Sequence, residues 1–467
     1  MPQAIHLISI GGSTMHNLAL ALQQQGYTVT GSDEKIYDPS QSRLEQYGIL
    51  PTETGWFPEK IHSGLSAVIV GMHAGNNNPE LLKAVELGLP IFSYPEFIYQ
   101  QSQHKQRVVI AGSHGKTTIT AMILHALAYH KRQFDYWIGD PIDGFDTTVN
   151  LTSGLQGSAA PIIVIEGDEY ASSPIDSRPK FLHYQPHIAL ISGIAWDHIN
   201  LYPTWDEYVD QFESLAEAMP KAGILIFDES DDMLDVIGQK ERTDITKIPY
   251  VAHSSEVIDG QTSLITKQGY KVPVQIFGKH NMKNVAGAMT ICDRIGITEE
   301  QFYEAIPTFK GIAQRLERIA ESPSPSSTVK IVYRDFAHSP AKVEATTEAV
   351  KHQHPNQKLL AVLELHTYSS RNKLFLEQYR GALDASDLAV VYIDAHTDET
   401  GQQSNLLTSE DIIVAFEKPD LVVCLTIPDL QNYLIQQRDT VQIFLLMSSG
   451  TFGELDLKTL SEKLIEA

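Results

Sequence analysis

An α/β protein of three domains is the fold this sequence predicts, and three observations predict it. Short apolar runs recur along the whole chain and are separated by helical patterns. Most of these runs lack polar alternation, as expected of strands in parallel sheets covered on both faces. The 467 residues correspond to about three domains, and a hydrophobic share of 42% is enough for each to bury a core.

The first domain is read as residues 1–103. Its opening, Ala4-Ile-His-Leu-Ile-Ser-Ile-Gly-Gly-Ser-Thr-Met15, is a strand (Ile5 to Ile10) running into a glycine turn at Gly11 and Gly12. An apolar-periodic segment, Leu18 to Gln25, and a second extended run, Tyr27 to Asp33, complete a βαβ unit. Asp33 follows the turn by roughly twenty residues, where a dinucleotide fold places the acid that reads a ribose hydroxyl. Ser9-Ile-Gly-Gly-Ser-Thr14 keeps only one of the three diagnostic glycines, which favours a nucleotide other than NAD. Ala67 to Gly71, Glu80 to Leu87 and Pro90 to Ser93 continue the strand and helix alternation, and polar Gln100 to Arg107 reads as a linker.

The second domain, 104–312, begins with Val108-Val-Ile-Ala-Gly-Ser-His-Gly-Lys-Thr-Thr118. An apolar strand ends here in a glycine turn that delivers a lysine and hydroxyls to the start of a helix, expected over Ile119 to Tyr129. Gly112 and Gly115 let backbone N–H groups approach phosphate oxygens, Lys116 supplies a point charge, and Thr117 offers a hydroxyl to Mg²⁺. Ile110 stands where the usual pattern has a glycine, so the loop is a shortened variant. Strands are expected at Pro161 to Glu166, His187 to Ser192 and Gly223 to Phe227. Ile163-Val-Ile-Glu-Gly-Asp-Glu169 then puts three carboxylates at a strand end, Glu166 first among them as a metal ligand. Trp196-Asp-His198 follows the next strand, so His198 is a second candidate, although Mg²⁺ prefers oxygen and either residue taken alone is more often a cap or ion-pair partner. Phe277-Gly-Lys-His-Asn-Met-Lys-Asn284 places His280, Asn281 and Asn284 at a helix start, as an N-cap with a solvated asparagine or as amides reading a purine edge.

The third domain, 313–467, has strand runs at Val329 to Tyr333, Leu359 to Leu363, Leu388 to Ile393, Asp420 to Cys424 and Val441 to Met447, with a helix at Pro340 to His352. Arg315, Asp335 and His338 stand near its beginning, and Ser322-Pro-Ser-Pro-Ser-Ser327 reads as a surface loop. A formal charge of −23 disfavours nucleic acid and anionic membrane as partners. Two cysteines, Cys292 and Cys424, far apart in sequence, suit a reducing compartment, and no apolar run reaches about twenty residues. A cytoplasmic protein, monomeric or a weak homodimer, is expected.

Taken in order, Gly112-Ser-His-Gly-Lys-Thr-Thr118, Glu166-Gly-Asp-Glu169, Asp197-His198, Gly278-Lys-His-Asn-Met-Lys-Asn284 and Asp335-Phe-Ala-His338 resemble the motifs of the Mur ligases over all three domains. The resemblance implies a Rossmann-like N-terminal domain, a P-loop ATPase central domain and a Rossmann-like C-terminal domain. Ile-Gly-Gly-x-x-Met15 and Gly31-Ser-Asp33 are similar to the branch that binds UDP-N-acetylmuramate, so Gly11, Gly12, Ser32 and Asp33 are expected to hold that substrate. Tyr37 to Glu45, Ile175 to Tyr184, Asp335 to Pro340 and Met447 to Phe452 are similar to the members that recycle a tripeptide. The members that add free L-alanine instead carry an arginine-rich run where this chain has His366-Thr-Tyr-Ser-Ser-Arg-Asn372, leaving Arg371 to meet an incoming carboxylate.

What the resemblance implies is ATP- and Mg²⁺-dependent amide formation between UDP-N-acetylmuramate and a short peptide or amino acid. Gly112, Ser113, His114, Gly115, Lys116, Thr117 and Thr118 would cradle ATP phosphates, with Thr117, Glu166 and His198 at the metal and Lys116, Glu166 and His198 catalytic. His280, Asn281 and Asn284 would seat adenine, Arg315 and Asp335 would complete the ATP site, and His338 and Arg371 would face the peptide. The segment Trp205 to Ala218 has no lysine, so the carbamylated lysine of some relatives is expected to be missing. Ser192-Gly193 and Asn200 depart from the family pattern, and they are the support for a contrary reading in which the chain is a catalytically silent sensor of UDP-muramoyl compounds or ATP.

Overall fold

The computed structural model describes residues 3–152, 159–196, 199, 201–258, 260–322, 329–394 and 407–466. They form two compact units. The first comprises Met1–Ile194, Asp206–Val251 and Ala286–Ala305, and the second Ala195–Trp205, Ala252–Val285 and Ile306–Ala467.

Two parallel sheets organise the first unit. The N-terminal sheet has the spatial order Thr28–Ser32, Ala4–Ile8, Ala67–Val70, Ile91–Ser93, all parallel. Its central strands are wholly apolar apart from His6, whose ring lies 3.2 Å from Glu80 in the buried interior. The larger sheet has the order Thr246–Tyr250, Ile224–Asp228, Ile188–Ile191, Gln106–Ala111, Ile162–Glu166, Asp135–Trp137, Val149–Asn150, parallel except for its last pair. Gln106–Ala111 therefore occupies the middle of that sheet, where Val108, Val109, Ile110 and Ala111 are completely buried. β-Branched runs of this kind fill a strand covered on both faces.

The second unit is built on a six-stranded sheet ordered Glu317–Glu321, Ile331–Asp335, Ile443–Met447, Leu359–Glu364, Leu388–Tyr392, Val422–Cys424, with only the first strand antiparallel. A small antiparallel sheet, Ser255–Ile258, Gln261–Ile265 and Lys271–Val274, belongs to the same unit. The α/β class, with mainly parallel sheets, is the one expected from the sequence.

Several element bounds differ from the sequence reading. The helix after the phosphate loop spans Lys116–Tyr129, starting at Lys116 and not at Ile119, because Gly115, with φ of 77°, caps it directly. The expected linker Gln100 to Arg107 is mostly structured. Its first residues finish the helix Tyr94–Ser102 and its last begin the strand Gln106–Ala111. Polarity misled there because Ser102, at the helix end, and Arg107, in the strand, are polar yet buried, the Arg107 guanidinium donating to the carbonyls of Ser102 and Tyr184. Of the expected loop Ser322 to Ser327, all but Ser322 lies outside the described residues. No helix among the described residues is long and apolar enough to cross a membrane.

Close packing in the N-terminal sheet depends on Gly31, where a Cβ would lie 2.7 Å from Ile10 Cβ and 2.8 Å from the Leu7 carbonyl. Gly31→Ala is expected to cost about 1–3 kcal/mol through overpacking. Urea unfolding checks this, and an unchanged midpoint would show that the strand has room to yield.

Candidate ATP and substrate site

Three adjacent strand ends shape the phosphate loop. Ala111 pairs with Ile191 and Ile110 with Glu166, so the loop, the Ser192-Gly193 corner and the Glu166 carboxylate emerge at one sheet edge. The Ser113 N–H donates to the Gly193 carbonyl at 2.9 Å, while Ser192 Oγ donates to the carbonyls of Ala111 at 3.2 Å and of His114. Gly112 has φ of 127°, and a Cβ on it would stand 2.8 Å from Ser192 N. A Cβ on Gly193 would fall on the His114 imidazole. Ser192-Gly193 is thus the surface against which this loop packs.

The charged groups form one buried network. Lys116 Nζ donates to the Gly112 carbonyl at 2.7 Å and to Glu169 Oε2 at 2.6 Å. Thr117 Oγ1 donates to Glu166 Oε1 at 2.7 Å, and the Gly139 N–H donates to Oε2 at 2.8 Å. Lys180 pairs with Asp168 at 3.1 Å and lies 4.2 Å from the Tyr170 ring centre. Tyr208 OH lies 2.8 Å from Ser113 Oγ and donates to Glu169 Oε1 at 3.2 Å, fixing the loop to the acidic strand end.

Two ammonium groups here face three carboxylates, and the imbalance falls on Glu166. Burial and the Asp168 charge push it up to about 7, against the pull of Gly139 N–H, Thr117 and Lys116. Burial would also raise Asp168, but Lys180 and Lys116 hold it low. For Lys116, burial favours the neutral amine, yet Glu169 and Asp168 outweigh it and raise its pKa, keeping the ammonium charged. A hydroxyl beside a carboxylate is a hard-oxygen donor pair suited to Mg²⁺, and the loop glycines leave room for phosphate oxygens, so the residues present fit ATP and its metal.

Sequence reasoning singled out Glu166 from its acidic run but not Asp168 or Glu169, and it did not find Lys180 or Tyr208. The run Glu166-Gly-Asp-Glu169 carried the signal for the two acids. Lys180 and Tyr208 carry none, because tertiary packing alone brings them to the loop. His198 and Asp197 lie outside the described residues.

In the N-terminal sheet, Asp33 Oδ2 accepts the Gly11 N–H at 2.8 Å, so this acid braces the glycine turn from which Gly12 leads into the helix Ser13–Gln24. Ser32 is completely buried, between Lys60 at 3.4 Å and Glu80.

The remaining candidates belong to the second unit. Asn281 Nδ2 donates to the Phe277 carbonyl at 2.9 Å and Asn284 Nδ2 to Asn281 Oδ1 at 3.2 Å, so the two amides form a chain along the start of the helix Lys279–Arg294. Asp335 Oδ1 accepts the Ala337 N–H at 2.7 Å and Oδ2 accepts the Leu316 N–H at 2.6 Å, and the Arg315 guanidinium lies 4.2 Å from the Phe336 ring centre. His338 Nδ1 sits 2.8 Å from the Phe336 carbonyl. Arg371 Nε donates to the Leu365 carbonyl at 3.1 Å and an Nη to Asp394 at 3.3 Å, bracing the loop it belongs to.

His280 is packed at the same helix start with Nδ1 lacking a hydrogen-bond partner, and burial lowers its pKa from 6.5 to about 4. Folding thus favours the neutral ring. Between pH 6.5 and 4 the unfolded chain binds the extra proton, so stability is full above that window, falls as pH drops through it and levels below it. His280→Gln is expected to remove on the order of 2 kcal/mol of that acid loss. Urea unfolding of the second unit between these pH limits checks it, and identical pH slopes in both proteins would refute it.

Residues 110–292 match the Mur ligase middle domain, and residues 4–106 match the Mur ligase family catalytic domain. The chain is 28% identical to a UDP-N-acetylmuramate–L-alanine ligase of Carboxydothermus hydrogenoformans, over 98% of this chain and 96% of that protein. The fold is similar to a murein peptide ligase of Psychrobacter arcticus, with a TM-score of 0.64 at 24% identity, covering 100% of this chain and 99% of that one. It is also similar to the UDP-N-acetylmuramate:L-alanyl-γ-D-glutamyl-meso-diaminopimelate ligase of Neisseria meningitides, with a TM-score of 0.59 at 26% identity over 67% of this chain and 99% of that one. With both domain matches in sequence order and a phosphate loop built as described, the chain belongs to the Mur ligase family, ATP-dependent enzymes that assemble peptidoglycan precursors by forming amide bonds.

Proposed function

We propose that this ligase joins UDP-N-acetylmuramate to L-alanyl-γ-D-glutamyl-meso-diaminopimelate in peptidoglycan recycling. The observation that carries the choice of peptide is the loop His366 to Asn372, which has one arginine where the L-alanine-adding members have several. Arg371, seated on the carbonyls of Leu365 and Asp394, is the candidate cation of that loop. The full-length likeness to L-alanine ligases favours the second reading, addition of free L-alanine in de novo synthesis.

The chemistry follows from the reactants. A carboxylate resists amine attack because oxide is a poor leaving group. ATP supplies the remedy by phosphorylating the muramoyl carboxylate, so that phosphate can leave when the free amine attacks the acyl carbon. Gly112 to Thr118 hold the phosphates, and Lys116 places its charge where negative charge develops. Thr117 and Glu166 would hold Mg²⁺, with His198 proposed beside them. Asn281, Asn284 and His280 are proposed for adenine, Arg315 and Asp335 for completing the ATP site, and His338 for the peptide. Gly11, Gly12, Ser32 and Asp33 are proposed for the sugar nucleotide, with residues 1–103, 104–312 and 313–467 as the three functional domains.

Lys116→Ala is expected to abolish ligation while leaving UDP-N-acetylmuramate binding near wild type, since the lysine serves ATP. Product formation followed alongside calorimetric binding of the sugar nucleotide checks this, and wild-type turnover would remove the phosphate-loop assignment.

Tripeptide is expected to be preferred over L-alanine by at least about a hundredfold in kcat/KM, on the order of 2.7 kcal/mol, which a few polar contacts to a longer substrate supply. Mass spectrometry of UDP-N-acetylmuramate incubated with ATP, Mg²⁺ and either amine donor measures it. Equal or better use of L-alanine would establish the second reading.

A further inference from the structure

We propose that Glu96, Asp176 and His183 form a binding site for a divalent transition cation of the Zn²⁺ class, distinct from the Thr117 and Glu166 pair. One imidazole and two carboxylates converge there, each offering a ligand atom, with all three atoms within 4.8 Å of one another. All three residues belong to the first unit.

The strongest indication is His183. Its side chain is only 5% exposed, and Nε2 has no hydrogen-bond partner in the structure. That nitrogen lies 3.3 Å from Asp176 Oδ2, too poorly aligned for a hydrogen bond. A buried ring nitrogen without a partner costs free energy comparable to a lost hydrogen bond. In the neutral imidazole one nitrogen carries a lone pair, and a lone pair facing a carboxylate is stabilised by a cation between them.

The two carboxylates are held in place by their own elements. Glu96 sits in the first turn of the helix Tyr94–Ser102, where its Oε2 accepts from the Ser93 N–H at 2.8 Å and Oγ at 2.7 Å in a capping box. Oε1 is the oxygen left to the cluster, 3.8 Å from an Arg178 nitrogen. Asp176 opens the second strand of the hairpin Ala171–Ser173 and Asp176–Pro179, and His183 closes the helical turn Lys180–His183. A metal here would tie the helix to the hairpin.

Arg178 is the competitor. Its guanidinium holds Asp176 bidentately, with Nε donating to Oδ1 at 3.0 Å and an Nη to Oδ2 at 2.6 Å, so a cation must displace it; the 62% exposed side chain has water to turn into. Imidazole with carboxylates suits Zn²⁺ and its first-row neighbours, whereas Mg²⁺ favours an all-oxygen set. The two sites are therefore expected to sort the two kinds of cation.

The test uses the full chain, freed of metal by chelation and kept in excess Mg²⁺, titrated with Zn²⁺ by calorimetry and with Co²⁺ by visible absorption. One saturable equivalent is expected, with a rise in the thermal unfolding midpoint. His183→Gln and the more exposed Glu96→Gln should each weaken binding at least about tenfold, and Arg178→Ala should bind as tightly as wild type or more so. The proposal is overturned if Zn²⁺ does not saturate the wild-type chain below roughly 100 μM, if Glu96→Gln binds like wild type, or if Arg178→Ala binds more weakly.

Discussion

The close approach of the phosphate loop to the neighbouring strand end is the constraint on which the rest of the first unit depends. Ser113 N–H reaches the Gly193 carbonyl, Ser192 Oγ reaches two loop carbonyls, and Gly112 and Gly193 have no space for a Cβ. Backbone groups that would otherwise be stranded at a buried strand end are satisfied by this contact. It also fixes where Lys116 and Thr117 begin the helix. A glycine corner that looks like a departure from the family pattern in sequence is, in three dimensions, the surface against which the loop is moulded.

Around that contact the protein keeps charge buried without neutralising it pair by pair. Lys116 and Lys180 share Glu169, Asp168 and Glu166, and the surplus negative charge raises the proton affinity of Glu166. Surplus negative charge of this kind is costly on its own, and a divalent cation bound beside it would compensate it. Tyr208 couples the loop hydroxyl to the same acidic strand end, so loop geometry and charge are held by one set of contacts.

In the second unit the same economy of backbone satisfaction governs the candidate residues. Asp335 uses both carboxylate oxygens on N–H groups, of Ala337 just after its own strand and of Leu316 just before the paired strand Glu317–Glu321, and Arg371 caps the carbonyls where the strands Leu359–Glu364 and Leu388–Tyr392 end. Asn281 and Asn284 brace each other along one helix face, as residues three apart do. These side chains shape the loops in which they sit, and any ligand role is added to that structural one.

By itself the sequence determined the parallel-sheet class, the strand–loop–helix around Lys116 and the acidic strand end at Glu166, because apolar runs, glycine turns and a lysine beside a hydroxyl are local signals. It misread the polar stretch Gln100 to Arg107 as a linker, since a buried serine and a buried arginine look in one dimension like exposed polar residues. Only the tertiary structure decided that Glu169 pairs with Lys116, that Lys180 and Tyr208 join the loop, and that Asp33 braces Gly11. Those partners are tens of residues apart in the chain, and strand order in the sheets, which no local pattern encodes, is what brings them together.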